Sequence, residues 1–382
     1  MRTPWVGREA ELRAVDEALE RAVATGQPQT VTVVGGAGTG KSRLMDEAVG
    51  RVAHHTPNAR CFRGAGRVHG PAFGIVQRLL RHRFGLVEGT SLELQRETVR
   101  AVVSEALGAD AAMEFLHFIG VYLDLRWPES AFAKAFEDDP DQVARIGQAV
   151  LRRFFEVDAG RGPLVLVFED LHLANDDSLA LVESLVASMH DAPVLMVVTA
   201  RPELLARRPE WGEAGSPRHT RMELMPLGLD DAARIMLHLL SPTEDPPEAL
   251  VDAAVEVAGG NPYLLEQMFR AFLSSGTVVP RDDGPWIVHL ERLDDAQLPL
   301  SVEDAVTARI SALTAPEREL LELASIVGGV FWLGALVTLG RMGRAAPDLW
   351  GGAEDLAGHV RDLLAGLADA QSLLLPVCAL TQ

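Results

Sequence analysis

Apolar residues along this chain recur with two different periods, and the alternation between them outlines its architecture. Over residues 8–24, Leu12, Val15, Leu19, Ala22 and Val23 fall at helical spacing among Glu and Arg, which predicts an amphipathic helix. Gly26 and Pro28 stop it. Residues 30–34 are a short β-branched run of the kind found in buried strands. A Gly-rich turn follows, and 42–52 predicts a helix. Further strand runs occupy 164–168, after Gly162-Pro163, and 194–199, between Pro193 and Pro202. Weaker ones lie at 59–63 and at 221–225, ended by Pro226. Helical patterns fill 71–82 and much of 91–158, most plainly 141–155 after Pro140. Five strands separated by helices imply an α/β fold, a parallel sheet covered on both faces.

After Pro226 the strand–helix alternation fades. Residues 230–240, 247–258 and 262–273 predict a helical subdomain, and 278–279 with 286–288 a small hairpin around 281–284. Beyond 298 two helix starts stand out. Ser301 with Asp304 has capping spacing, and Thr314 with Glu317 forms a capping box with Pro316 in the first turn. The expected division is a core over 1–226, a helical lid over 227–297 and a C-terminal region over 298–382.

The turn after the first strand carries the chemistry. Gly35, Gly36, Ala37, Gly38, Thr39, Gly40, Lys41 and Ser42 match G-x-x-x-x-G-K-[S/T] in full. Glycines let successive backbone N–H groups approach phosphates that side chains would block, and the next helix points its positive end at the anion. Lys41, expected to be exposed in the empty loop, supplies a charge for the β- and γ-phosphates. Ser42 supplies a hydroxyl for magnesium, so the ligands implied are ATP and Mg2+. No G-x-G-x-x-G register fits this loop, which argues against a dinucleotide fold.

A P-loop ATPase needs carboxylates from a second strand. Glu169 and Asp170 follow the run 164–168 and are the candidates, Glu169 for the magnesium shell and Asp170 for the attacking water. Arg201, just past 194–199, is placed to sense the γ-phosphate. His54, His55, His82, His172 and His190 lack metal-ligand spacing and are expected to be ordinary core or surface histidines.

With these residues the sequence resembles the STAND class of signal-transduction ATPases, the Orc1-like, AAA-like modules of large bacterial signalling and transcriptional regulators. Residues 5–11, Trp-Val-Gly-Arg-Glu-Ala-Glu, resemble the family's opening segment against the adenine. Phe168-Glu169-Asp170-Leu171-His172 is similar to its Walker B segment, Thr199-Ala200-Arg201 to its sensor motif, and Gly260-Asn261-Pro262 to its G-x-P motif. Residues 298–331 resemble a winged-helix segment that closes over the nucleotide. The resemblance implies that Val6, Gly7, Arg8 and Pro262 frame the base, with Arg43 beside the loop. It also implies a slowly hydrolysing switch whose partners are ATP or ADP and a protein or effector domain, with nucleotide-dependent self-association. The chain departs from the pattern at Leu173, where the family has tryptophan, and at Asn175, with Asp176 one position late. The apolar tail 372–382 lacks a clear ending to the winged-helix unit.

Charge narrows the alternatives. A net charge of −19 with dispersed arginines opposes direct nucleic-acid binding, and with it an initiator-type ATPase acting on DNA. Two distant cysteines, Cys61 and Cys378, give no disulfide framework and fit a reducing compartment. The absence of a long apolar stretch leaves a cytoplasmic protein without a membrane span as the expectation. The other alternative is a scaffold that binds nucleotide without hydrolysing it, since Asp170 is shorter than the glutamate common in faster ATPases.

Overall fold

The strand runs form β1 (Gln29–Val34), β2 (Arg60–Ala65), β3 (Leu164–Glu169), β4 (Val194–Ala200) and β5 (His219–Glu223). In the computed structural model they pair in parallel, in the order β2-β3-β4-β1-β5. Described are residues 4–87, 89–127, 140–212, 217–293, 296, 298–311, 313–328, 331–342 and 353–369. The chain divides into two compact units, Met1–Ala296 and Gln297–Gln382.

Alternation along the strands sends residues to two separate cores. Leu164, Leu166 and Phe168, with Val194, Met196 and Val198, face one core. It is covered by α3 (Gly74–Arg83), α4 (Leu92–Leu107), α5 (Ala109–Leu123), α6 (Pro140–Ala159) and α7 (Asp176–Ser188). Val165, Val167, Leu195, Val197, Val31 and Val33 face the other, beneath α1 (Glu9–Thr25) and α2 (Lys41–His55). Burial on both faces is why these strands read as continuous apolar runs.

Three boundaries move for local reasons. The helix expected from Pro71 starts at Gly74, because 71–74 close a turn (Gly74 N–H to Pro71 O, 3.0 Å) and Phe73 sits at φ 58°. The last strand begins at His219 rather than 221, where pairing with Thr30 starts. Helix α2 begins at Lys41 itself and runs on to His55.

At the carboxyl edge of the sheet, Val34 lies opposite both Ala200 and Glu223, and Phe168 opposite Val198. The segments leaving β1, β3 and β4 therefore emerge side by side, at the crevice where open α/β sheets bind ligands. Past β4 comes the short α8 (Glu203–Arg207), and past β5 the helices α9 (Leu229–Leu239), α10 (Glu248–Ala258) and α11 (Pro262–Ser275). The hairpin follows as β6 (Val278–Val279) and β7 (Ile287–Val288), paired antiparallel.

The second unit contains α12 (Val302–Ser311), α13 (Ala315–Val327), α14 (Leu333–Met342) and α15 (Ala353–Asp369), with a core that includes Leu320, Ala324, Leu336, Val360 and Leu367. The Ser301 hydroxyl accepts from the Asp304 amide at 3.0 Å, and the Glu317 carboxylate accepts from the Thr314 amide at 2.8 Å. Its described residues form helices and no strand. Residues 372–382 and Cys378 lie outside the described residues.

Candidate nucleotide site

The loop after β1 is shaped by two left-handed glycines, Gly38 at φ 76° and Gly40 at φ 93°. A Cβ on Gly38 would collide with the Asn261 side chain, so glycine is needed there for space as well as backbone freedom. The Gly35 amide donates to Ala200 O at 3.0 Å, which fixes the loop to the end of β4. Helix α2 opens at the end of this loop, so its free N–H groups face the same crevice.

Lys41 departs from expectation. It is 8% exposed, not free, and its ammonium donates to the carbonyls of Gly35 at 2.8 Å and Gly36 at 2.7 Å. These carbonyls of its own loop satisfy a cation that is costly to bury unpaired. Burial lowers the Lys41 pKa, Asp170 opposes that shift and Arg201 adds to it. Glu203 also opposes it, so two carboxylates and one guanidinium act on the lysine.

A cleft of about 400 Å³ opens over the loop. Val6, Arg8, residues 37–43, Asp170, Arg201 and Pro262 line it, so most of the sequence candidates meet on one wall system. Gly7, Gly35, Gly36 and Glu169 do not line it. Gly7, at φ 71°, instead packs where a side chain would strike Asp231 and Leu227. Arg8 donates to Met225 O at 2.5 Å and Thr39 O at 3.4 Å, and pairs with Glu11 at 3.1 Å. It thereby ties the opening segment to the P-loop and to the chain beyond β5.

The helical segment past β5 contributes more than Pro262. Tyr263, Glu266, Leu227 and Ile235 also line the cleft. Asn261 caps α11 by accepting from the Tyr263 and Leu264 amides at 3.1 and 3.3 Å. Its Nδ2 donates to Ala37 O at 2.9 Å, a direct bond from the start of α11 to the P-loop.

The two candidate carboxylates diverge. Glu169 ends β3 on the α2 side of the sheet, and Arg63 holds it at 2.7 Å while also pairing with Asp46 at 2.8 Å. Asp170 leaves the strand in a left-handed conformation, φ 48° and ψ 44°, which Asp tolerates better than most residues. Its amide donates to the Thr199 hydroxyl at 3.1 Å, and its side chain reaches the cleft. Arg201 lines the cleft too, and its backbone N–H donates to His172 Nδ1 at 3.3 Å. His172, expected to be an ordinary histidine, is buried, and its Nε2 has no partner among the described residues. Burial lowers its pKa, and Asp170, Arg201, Glu203 and Lys41 act on it in turn.

These residues fit a nucleoside triphosphate. The volume lies within the range of small-ligand pockets, about 300–1,000 Å³. Its lining combines the loop and the start of α2, with Lys41 and Arg201, and the apolar or aromatic Val6, Leu227, Ile235, Pro262 and Tyr263, which suit a base. Among the described residues no group of three or more His, Cys, Asp or Glu could hold a metal ion by itself. Ser42 lines the cleft, and its hydroxyl fits a magnesium ion that takes its other ligands from phosphates and water. Also among the described residues, no helix is long and apolar enough to cross a membrane.

A family model described as "AAA ATPase domain" matches residues 4–198, just over half of the chain. An uncharacterized protein of Rhizobium meliloti (strain 1021) is 28% identical over 273 residues, which are 69% of this chain and 25% of the relative. The chain thus spans about a quarter of that relative's length. Among solved structures, Drosophila ORC bound to DNA is similar over 96% of this chain and 80% of its own, at 15% identity and TM-score 0.46. The Aeropyrum pernix ORC1 protein in complex with DNA is similar over 96% and 84%, at 14% identity and TM-score 0.43.

Proposed function

Because this chain belongs to the AAA ATPase domain family, we propose that it binds ATP with magnesium and works as a slowly hydrolysing switch of the STAND signal-transduction class. The observation that carries the switch is the bond from Asn261 to the P-loop carbonyl of Ala37. A ligand that reorders the loop must then act on the start of α11, and through it on the lid.

In this proposal Lys41 leaves its two loop carbonyls for the phosphates, and Arg201 reads the γ-phosphate. Val6, Arg8 and Pro262 frame the base, joined by Tyr263, while Gly7 only shapes the opening segment. Magnesium, when bound, would offset phosphate charge, with Ser42 as its protein ligand. Glu169 would serve its water shell only after the ion pair with Arg63 opens. Asp170 would orient the attacking water, and positioning is most of what accelerates this reaction. The 297–382 unit, read as winged-helix-like, would be the contact for a protein partner or effector in a cytoplasmic regulator.

The Arg63–Glu169 pair favours a second proposal, a nucleotide-binding scaffold, since it leaves a single Walker B carboxylate at the cleft. Single-turnover hydrolysis separates the two. The switch requires measurable turnover, well below the ~10 per second of a median enzyme. Asp170→Asn should keep ATP affinity within about threefold and lose most of the rate, because a water contact matters mainly in the transition state. Equal rates in parent and variant would remove Asp170 from the mechanism. Tight binding with no hydrolysis in the parent would establish the scaffold.

A further inference from the structure

The turn Leu171–Leu173 follows β3, and Arg201 follows β4, so the two meet at the carboxyl edge of the sheet. His172 bridges them. Its Nδ1 accepts the Arg201 backbone N–H at 3.3 Å, which places the proton of the neutral ring on Nε2. That Nε2–H is buried and has no acceptor among the described residues.

Packing does not account for a histidine here. A leucine would fill an interior site beside Leu171 and would bring no buried Nε2–H of its own. What the imidazole adds is an acceptor for one amide. Arg201 is the first residue past the strand, and Pro202 after it has no N–H to give. The Arg201 amide is therefore the last donor that can fix the chain before α8. The turn carrying the ring is itself anchored. Arg207 donates to the carbonyls of His172 at 2.9 Å and Ala174 at 2.8 Å, and the Asp170 amide to Thr199 Oγ1 at 3.1 Å.

We propose that His172 is a positioning residue, whose Nδ1 holds the Arg201 backbone and so sets the reach of its guanidinium to the γ-phosphate of a nucleoside triphosphate. This rests on the proposal that Arg201 addresses that phosphate. It predicts a defect specific to the third phosphate, which a merely structural residue would not produce.

The test is calorimetric titration of the full chain with magnesium and either ADP or a non-hydrolysable ATP analogue. Arg201→Ala should lower the preference for triphosphate over diphosphate by about tenfold or more, the scale of one charge-assisted hydrogen bond. His172→Leu should lower it comparably, with ADP affinity unchanged within about threefold. His172→Asn, whose Oδ1 can replace Nδ1, should restore the preference. His172→Gln puts its amide near the Nε2 position and should behave like His172→Leu, standing in for it if the leucine variant fails to fold. If Arg201→Ala lowers the preference while the Leu and Gln variants do not, the His172 inference falls and the role of Arg201 survives. An equal loss of ADP and triphosphate affinity in those variants would make His172 structural and overturn it as well. No change in Arg201→Ala overturns both.

Discussion

Replacing Asn261 with alanine cuts two attachments made by one amide. The first is the cap on α11, in which Oδ1 accepts from the Tyr263 and Leu264 amides. Losing an Asn cap to alanine costs about 1 kcal/mol. The second is the bond from Nδ2 to Ala37 O at 2.9 Å, also worth about 1 kcal/mol. The total is about 2 kcal/mol, and adjacent effects on one side chain need not add fully. In a large domain that lowers the melting temperature by about 4 °C. Asn261→Asp separates the contributions. It keeps the capping oxygen and places a favourable charge at the helix start, but it has no donor for Ala37. The aspartate variant should therefore melt between parent and alanine variant. Hydrogen exchange adds the location. The Tyr263 and Leu264 amides should exchange faster in Asn261→Ala, and ATP should protect the lid less than in the parent while still protecting the P-loop. A melting temperature within about 1 °C of the parent, together with unchanged exchange at those amides, would refute the lid–loop connection.

Two further outcomes follow from the charges. Asp158 is fully buried between Arg83 at 2.6 Å and Arg60 at 2.8 Å, so Asp158→Ala should destabilise the protein by about 3–5 kcal/mol in a denaturant titration at neutral pH. Burial raises the Asp158 pKa, but the bonds to Arg83 and Arg60 outweigh it and leave it below 3.8. A carboxylate depressed in the folded state stabilises above its unfolded pKa, so the parent's advantage should persist at pH 5 and shrink as pH falls through the folded value, below about 4. Duplex binding should be weak at physiological salt, because a chain of net charge −19 opposes phosphate contact, and a sub-micromolar dissociation constant at about 150 mM salt would contradict this.

Much of the sheet was legible because a parallel strand buried on both faces must be apolar throughout, as Leu164 to Phe168 are. Once the strands were placed, Asp170 and Arg201 had to emerge beside the P-loop, and the structure puts both on the cleft. Glu169 was less legible, since its partner Arg63 belongs to β2 and the register of β2 on β3 leaves no periodic signal. The burial of Lys41 escaped for a different reason, because it depends on acceptors within its own loop rather than on any pattern of residue types. The lid side of the cleft also required tertiary structure. Asn261 and Ala37 are 224 residues apart, and the apolar spacing that predicts α9 and α11 does not say which face meets a ligand. His172 carries no signal of its role, because no motif marks a side chain whose partner is a backbone amide just past the neighbouring strand.

The central claim is that the cleft over residues 35–42 holds ATP with magnesium, and calorimetric titration of the parent and Lys41→Ala with MgATP tests it most directly. The ammonium that now rests on Gly35 and Gly36 should turn to the phosphates, a charge-assisted contact worth about 1.5–3 kcal/mol. The parent should therefore bind one nucleotide saturably, and Lys41→Ala should bind it about 10- to 100-fold more weakly while remaining folded. Absence of binding to the parent at millimolar ATP, or equal affinity for the two proteins, would contradict the account.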